Sequence, residues 1–218
     1  MSLQGLIPLP AASQAGAVSV EQAIQERRST RHFTREPVTV KELSQLLWAG
    51  QGVTQVTGDP APGSNDRQRT GHLRAAPSAG ALFPLELYVA VGTAKGIGPG
   101  VYHYVPEGHG LVQITDRDLR KSIWGRALQQ DAIRAAPMTI VIAAVTGRMT
   151  AKYGERSDRY VHIEVGAAAE NIALQAISLG LGTVLMGAFE DKVLRKLLSL
   201  PPDHHVLAII PVGRPLPG

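Results

Sequence analysis

Apolar positions along this chain change period several times, and each change marks an element. Val20, Ala23 and Ile24 recur at helical spacing behind Ser19 and Gln22, which read as a capping box. Thr39 and Glu42 open a second helix, apolar at Leu43, Leu46 and Leu47. Residues 85–91 alternate and then turn wholly apolar, as a strand does. Residues 100–105 and 111–114 flank Glu107-Gly108 as an antiparallel hairpin. Helices are expected near 116–123 and 125–134. Residues 139–145 are a continuous apolar run of strand length, which belongs at the centre of a sheet.

The longest helical stretch, 158–179, carries Ala167, Ala168, Ala169, Ile172, Ala173, Ala176 and Ile177 and is apolar nearly all round. Its small residues would let another backbone approach closely, which suits a subunit interface. Gly180 supplies the helix stop and Gly182 leads to a strand at 183–187. A short helix at 191–198 and a last strand at 206–210 follow. Residues 54–72 are polar, rich in Gly and Pro and aperiodic, and read as a lid or partner-contacting loop. Helices and strands mix without a regular βαβ repeat, so the expected class is α+β, one domain over 19–218 behind an N-terminal extension, 1–18.

Composition narrows the chemistry. The chain has 218 residues, 44% hydrophobic, enough for a substantial core. Its net charge of +4 permits an anionic ligand, but the basic residues are scattered and only 5% of residues are aromatic, which argues against nucleic acid. Without cysteine there is no disulfide, thiolate metal site or thiol catalysis, so redox chemistry requires a bound cofactor. No basic n-region precedes an apolar run in residues 1–18, and no stretch is long enough for a membrane span. A cytoplasmic protein without membrane contact is expected.

Residues 27–31, Arg-Arg-Ser-Thr-Arg, concentrate three cations and two hydroxyls. If the first helix runs through them, Arg27 and Arg31 stand i,i+4 on one face, about 6 Å apart at Cβ. The pattern fits an anion grip, but taken alone the cluster favours a solvated basic helix end. Gly96-Ile97-Gly98-Pro99-Gly100 fails as a phosphate loop, because Pro99 interrupts it and a strand follows where a helix N-terminus is needed. His162-Ile163-Glu164 lacks the cysteines of a zinc deaminase site, so no metal site is expected. His204-His205 falls in a Pro-rich turn and is expected to face solvent. The 76–84 stretch sets small residues between Pro77 and Pro84 just before a strand, where a flat ring could lie against backbone.

Taken in order, Ile7-Pro8-Leu9-Pro10, Arg27 through Phe33, Leu46 through Gly52, Pro77 through Glu86, Lys152-Tyr153-Gly154, Gly187-Ala188-Phe189 and Ile210 through Pro215 resemble the nitroreductase superfamily, and within it the SagB-type dehydrogenase branch. The resemblance spans nearly the whole chain. It implies a mainly antiparallel central sheet flanked by helices, in an intertwined homodimer with FMN at the subunit interface. It further implies hydride transfer between FMN and a small-molecule or peptide-derived substrate. Alternatives are an NAD(P)H-dependent nitro or quinone reductase, with NAD(P)H as electron donor, and a flavin-binding module without turnover.

By the same resemblance, Arg27 would meet the FMN phosphate with Arg214, and Arg28 and Ser29 would hold the ribityl and ring region. Arg31 would stand beside the part of the ring where negative charge collects on reduction, raising its potential. Pro77, Ser78, Ala79, Gly80 and Leu82 would come from the other subunit. Gln130 would read one ring edge, and the Gly187 and Ala188 backbone would point at the hydride-accepting atom. Lys152 with Tyr153 matches a pair associated with proton removal from substrate, a role that competes with a plain interface or surface lysine. After Glu164 the branch's usual Glu-x-Gly-His-x-x-Gln-Asn reads Glu-Val-Gly-Ala-Ala-Ala-Glu-Asn, so its histidine and glutamine are missing here.

Overall fold

In the computed structural model, residues 5–56 and 72–217 are described. The elements run β1 (Leu6–Pro8), α1 (Val20–Glu26), β2 (Val38–Thr39), α2 (Val40–Gln51), β3 (Val53–Val56), β4 (His72–Arg74), β5 (Leu85–Val91) and β6 (Ala94–Lys95). They continue with β7 (Gly100–Val105), β8 (Gly110–Thr115), α3 (Arg120–Arg126), α4 (Asp131–Ala135), β9 (Met138–Ala144), α5 (Gly147–Tyr153), α6 (Ser157–Ser178), β10 (Gly182–Thr183), α7 (Asp191–Leu197) and β11 (His205–Gly213). Among the described residues, seven strands form one sheet in the order β1-β8-β7-β5-β9-β11-β10, with every neighbour antiparallel. This is the expected α+β class.

β9 is apolar except for Thr139 and buried along its whole length, because both its faces are covered. Met138, Ile140, Ile142 and Ala144 point to one core with Leu43, Leu46 and Leu47 of α2 and Val165, Ala168 and Ile172 of α6. Val141 and Ala143 point to the other, with Ile123 of α3, Ile133 of α4 and Leu194 of α7. Strand pairing fixes the ends of this three-layer body. Leu85 and His205 both pair with Ala144 at one end of β9, and Val91 and Val212 both pair with Met138 at the other.

Several boundaries differ from the sequence reading. The N-terminal segment read as an extension contributes β1, which pairs Leu6 with Val112 at the sheet edge. Ser19 Oγ accepts the Gln22 N–H at 3.1 Å, but the Gln22 side chain turns to Glu26, so only half of that capping box forms. Thr39 and Glu42 form theirs completely. On α1 only Ala23 is buried, while Val20 and Ile24 stay exposed. The two helices after β8 begin later and are shorter than expected; Asp118 Oδ1 accepts the Arg120 N–H at 3.1 Å ahead of the first, and Gln130 is the N-cap of the second. The strand expected at 183–187 is two residues of β10 followed by a bridge from Met186 to Ile209.

Within one chain, the helix expected to be apolar nearly all round and to suit a subunit interface buries one side. Val161, Val165, Ala168, Ile172 and Ala176 face the core, and Ile163 on the other side is 61% exposed. Gly180 ends α6 with φ +66°, its N–H bonded to Ile177 O and that of Leu181 to Ala176 O. The loop read over 54–72 splits: residues 54–56 and 72 belong to the β3-β4 pair, and 57–71 lie outside the described residues.

Candidate active site

The arginine cluster is not helical. α1 ends at Glu26, and the Arg27 N–H makes the last helical bond, to Ala23 O. The chain then extends, because strand partners take its backbone groups: Ser29 bridges Thr183 in parallel, the Thr30 N–H donates to Thr183 O at 2.9 Å, and the Thr34 N–H to Arg214 O at 2.9 Å. The expected i,i+4 pair of Arg27 and Arg31 therefore does not exist. The three cations decorate an extended ribbon along β10, which packs so closely that a side chain at Gly182 would collide with Thr30. Arg28 Nη1 donates to the Gln25 and Arg27 carbonyls, and Arg31 Nη1 lies 3.5 Å from Ser29 O. Both guanidinium groups are exposed, and neither pairs with a carboxylate among the described residues.

Arg27 Nε sits 3.5 Å from Glu170 Oε1 on α6. Arg214 is held elsewhere, with Nε 2.7 Å from Glu36 Oε1 and Nη2 2.7 Å from Glu42 Oε1. Burial pushes the Glu42 carboxyl up, but bonds from Thr39 and the Arg214 charge outweigh it and hold the group below the usual carboxylate range. The two arginines expected to share a phosphate thus each engage a carboxylate. An anion at Arg214 would compete with the exposed Glu36.

Gln130 and Ala188, far apart in sequence, meet. Leu128 and Gln129 both take positive φ, 51° and 53°, and this turn delivers Gln130 to the N-cap of α4. Its Nε2 donates to Ala188 O at 3.0 Å and to Ala127 O at 3.1 Å. Gly187 is exposed, with open space where a Cβ would stand. The backbone there can receive a flat ligand edge.

The 77–84 loop closes on itself and on two helices. Ser78 Oγ accepts the Phe83 N–H at 2.9 Å, and Glu164 Oε1 of α6 accepts the Ala79 N–H at 2.8 Å. Burial raises the Glu164 pKa, opposed by its bonds to Ala79 and Ser78. A Cβ on Gly80, where φ is +64°, would stand 2.7 Å from Tyr153 Oη and 3.0 Å from Lys152 Nζ. The loop and the Lys152-Tyr153 pair are therefore one cluster within one chain. Tyr153 rests edge-on against Tyr160 at 4.8 Å. A cavity of about 270 Å³ opens beside the loop, lined by Pro77, Ser78, Ala79, Tyr160, Ile163 and Glu164.

These groups occupy different layers. Ala79, Leu82 and Tyr153 pack on the α2–α6 face of the sheet, whereas Phe189, next to Ala188, packs on the α3–α4–α7 face. The loop leads into β5, three strand spacings from β10, or about 14 Å. Within one chain, the sheet thus lies between Phe189 and the core contacts of the 77–82 loop.

The partners of other buried polar residues were not legible from sequence. His204, expected to face solvent, is buried with Nδ1 2.5 Å from Tyr88 Oη, and burial lowers its pKa; His205 is the exposed one. Glu86, the lone charge in an apolar strand, was a visible signal. It holds His103 Nε2 at 2.7 Å and pairs with Arg148. Nothing in the local pattern marks Arg148. A larger cavity, about 790 Å³, lies among residues 13–20, α2 and α6, and none of the residues expected to touch flavin lines it.

Among the described residues, an antiparallel seven-stranded sheet lies between two helical layers, with arginines along its β10 edge and a lysine-tyrosine pair over a small-residue loop, an α+β architecture. The nitroreductase family model matches residues 24–214, and the chain belongs to that family, whose members are generally flavin-dependent oxidoreductases. It is 41% identical over 197 residues to a candidate nitroreductase of Methanocaldococcus jannaschii, covering 90% of this chain and 91% of that one. A candidate nitroreductase from Ralstonia eutropha has the same fold at a TM-score of 0.80 and 28% identity, covering 100% of this chain and 93% of that one. The trifolitoxin operon protein TfxC of Rhizobium leguminosarum bv. trifolii is 26% identical over 89% of this chain, which spans 55% of that protein. The chain is thus an oxidoreductase enzyme. Among the described residues no helix is long and apolar enough to cross a membrane.

Proposed function

We propose that this protein is an FMN-dependent oxidoreductase of the SagB-type dehydrogenase branch, acting as a cytoplasmic homodimer on a small organic or peptide-derived substrate. Bound FMN supplies a ring that accepts or returns hydride. The observation that carries the reading is the convergence of Lys152 Nζ and Tyr153 Oη on Gly80. It places a basic group against the loop expected to lie on the ring, where a substrate losing hydride also needs a base.

Residues of one copy divide the remaining work. Arg27 and Arg214 supply charge for the phosphate, Arg28 and Ser29 polar support, and Arg31 a cation beside the ring. Gln130 orients one ring edge, and Gly187 and Ala188 offer backbone without side-chain bulk. Pro77, Ser78, Ala79, Gly80 and Leu82 of a second copy cover the ring. The opposite-face placement of the two groups in one chain supports that division, as does the exposed side of α6. Residues 19–218 form the FMN-binding domain, with β1 completing its sheet edge.

Similarity to TfxC supports the dehydrogenase branch. The 41% identity to a candidate nitroreductase favours a second reading, reduction of nitro or quinone acceptors with NAD(P)H as donor. Lys152→Ala separates them. Loss of substrate dehydrogenation with NAD(P)H-driven nitrofurazone reduction kept supports the first, whereas full activity of the variant on every accepted substrate overturns the base role. A protein that purifies colourless and takes up no FMN overturns both.

A further inference from the structure

Arg148 lies outside every motif discussed above, yet it touches the loop of one and shares a helix with another. It sits in the first turn of α5, and its Nη1 donates to the Phe83 carbonyl at 2.8 Å. Its Nη2 pairs with Glu86 Oε1. The other Glu86 oxygen meets His103 Nε2 at 2.7 Å, with the two side chains 12% and 6% exposed. Tyr88 stacks on His103 with centroids 4.6 Å apart. Burial pushes the Glu86 carboxyl up, but its bond to His103 and the Arg148 charge hold it below the usual carboxylate range, so it is a fixed anion at neutral pH. The anchor beneath the guanidinium is therefore charged, enclosed and stacked.

Each end of the Arg148 contact reaches something that needs holding. Ala81 and Phe83 adopt positive φ, 52° and 46°, conformations that a side chain disfavours and that persist only under outside restraint. Ser78 restrains this stretch from within through the Phe83 N–H, and Arg148 restrains it from outside through the Phe83 carbonyl. On α5, Arg148 and Lys152 are i and i+4, on the same face of the helix. A helix of two turns, held at its start by a planar fork with two fixed partners, has its rotation set for the residue one turn on.

We propose that Arg148, anchored by Glu86, is a positioning residue that locks the Lys152 face of α5 onto the strained 77–83 loop. The inference rests on the function proposed above in taking that loop as part of the FMN site. Arg148 itself touches no expected ligand atom. It acts through Phe83 and through the rotation of α5.

The test uses the full chain with Arg148→Met, Arg148→Lys and Glu86→Gln. In flavin-free protein, amide exchange of 77–84 and 147–153 is expected to accelerate at least about tenfold in Arg148→Met, with β9 at its wild-type rate. Arg148→Lys, which can satisfy one partner but not both as a fork, should fall between. On FMN titration followed by flavin fluorescence, Arg148→Met should bind about tenfold more weakly, with a changed visible circular dichroism band. Wild-type exchange in a cooperatively melting Arg148→Met protein overturns the clamp. Faster exchange with unchanged FMN affinity and dichroism overturns the link from clamp to site. If the wild-type protein takes up no FMN, the functional reading fails, while the exchange comparison still decides the clamp. If Arg148→Met does not fold, Arg148→Lys and Glu86→Gln carry the same comparisons.

Discussion

Gln130 Nε2 donates to the carbonyl of Ala188 at 3.0 Å, joining two residues 58 positions apart. Gln130 was expected at one edge of a flavin ring and the Ala188 backbone at its hydride-accepting atom. Gln130→Ala removes the amide and leaves Ala188 O to solvent. A single neutral hydrogen bond contributes about 0.5–1.5 kcal/mol, so FMN affinity should fall roughly 2- to 12-fold. Titration of apoprotein with FMN by fluorescence measures this; unchanged affinity would remove Gln130 from the site.

The extended arginine ribbon predicts separable effects. Arg27→Ala should weaken FMN binding at least about tenfold, because charge-assisted bonds contribute about 1.5–3 kcal/mol. Arg31→Ala should bind FMN nearly as well but lower its two-electron midpoint by on the order of 30 mV, corresponding to about 1.4 kcal/mol. Dye-coupled redox titration reads the potential. Equal effects of both variants on affinity, with no shift in potential, would merge their roles.

Gly80 has two reasons to be glycine, its φ of +64° and the 2.7 and 3.0 Å approaches of Tyr153 and Lys152. Gly80→Ala should lower stability by about 1–2 kcal/mol from the backbone alone. It should also reduce Lys152-dependent turnover further than that loss explains, since the new methyl displaces the amine. Urea unfolding beside turnover of the folded variant separates the two. Turnover falling only in step with the folded fraction would leave Gly80 a backbone role alone.

Acid stability should fall in two stages. The His204 pKa is depressed below 6.5, chiefly by burial, so the unfolded chain takes a proton before the native one does. Its stabilising contribution is present above pH 6.5 and is lost as pH falls through the native value. Glu86, lowered from 4.5 by His103 and Arg148 against burial, contributes fully above pH 4.5 and less as pH falls through its native value. Melting temperatures of wild type and His204→Gln across pH 7.5 to 5 should show a flatter slope in the variant. Parallel slopes would rule out His204 as the first group to titrate.

Much of the fold was legible in local pattern. The continuous apolar run of β9 required cover on both faces, the alternation of β5 required a strand, and Thr39 with Glu42 fixed the start of α2. Each of these signals depends on residues a few positions apart. The arginine cluster misled for the complementary reason: its helix stops because Thr183 and Arg214, from distant parts of the chain, take its backbone hydrogen bonds. His204 was misplaced because its partner is Tyr88, 116 residues away.

The sequence by itself determined the residue types, the periodicities and the ordered set of motifs that mark a nitroreductase, because these reside in the chain's linear order. Only the tertiary structure decided which of them meet. It set Lys152 and Tyr153 against Gly80, joined Gln130 to Ala188, engaged Arg214 with Glu36 and Glu42, and brought Arg148 onto Phe83. Long-range strand pairing and the two faces of one sheet fix those distances, and neither is encoded in the spacing of neighbouring residues.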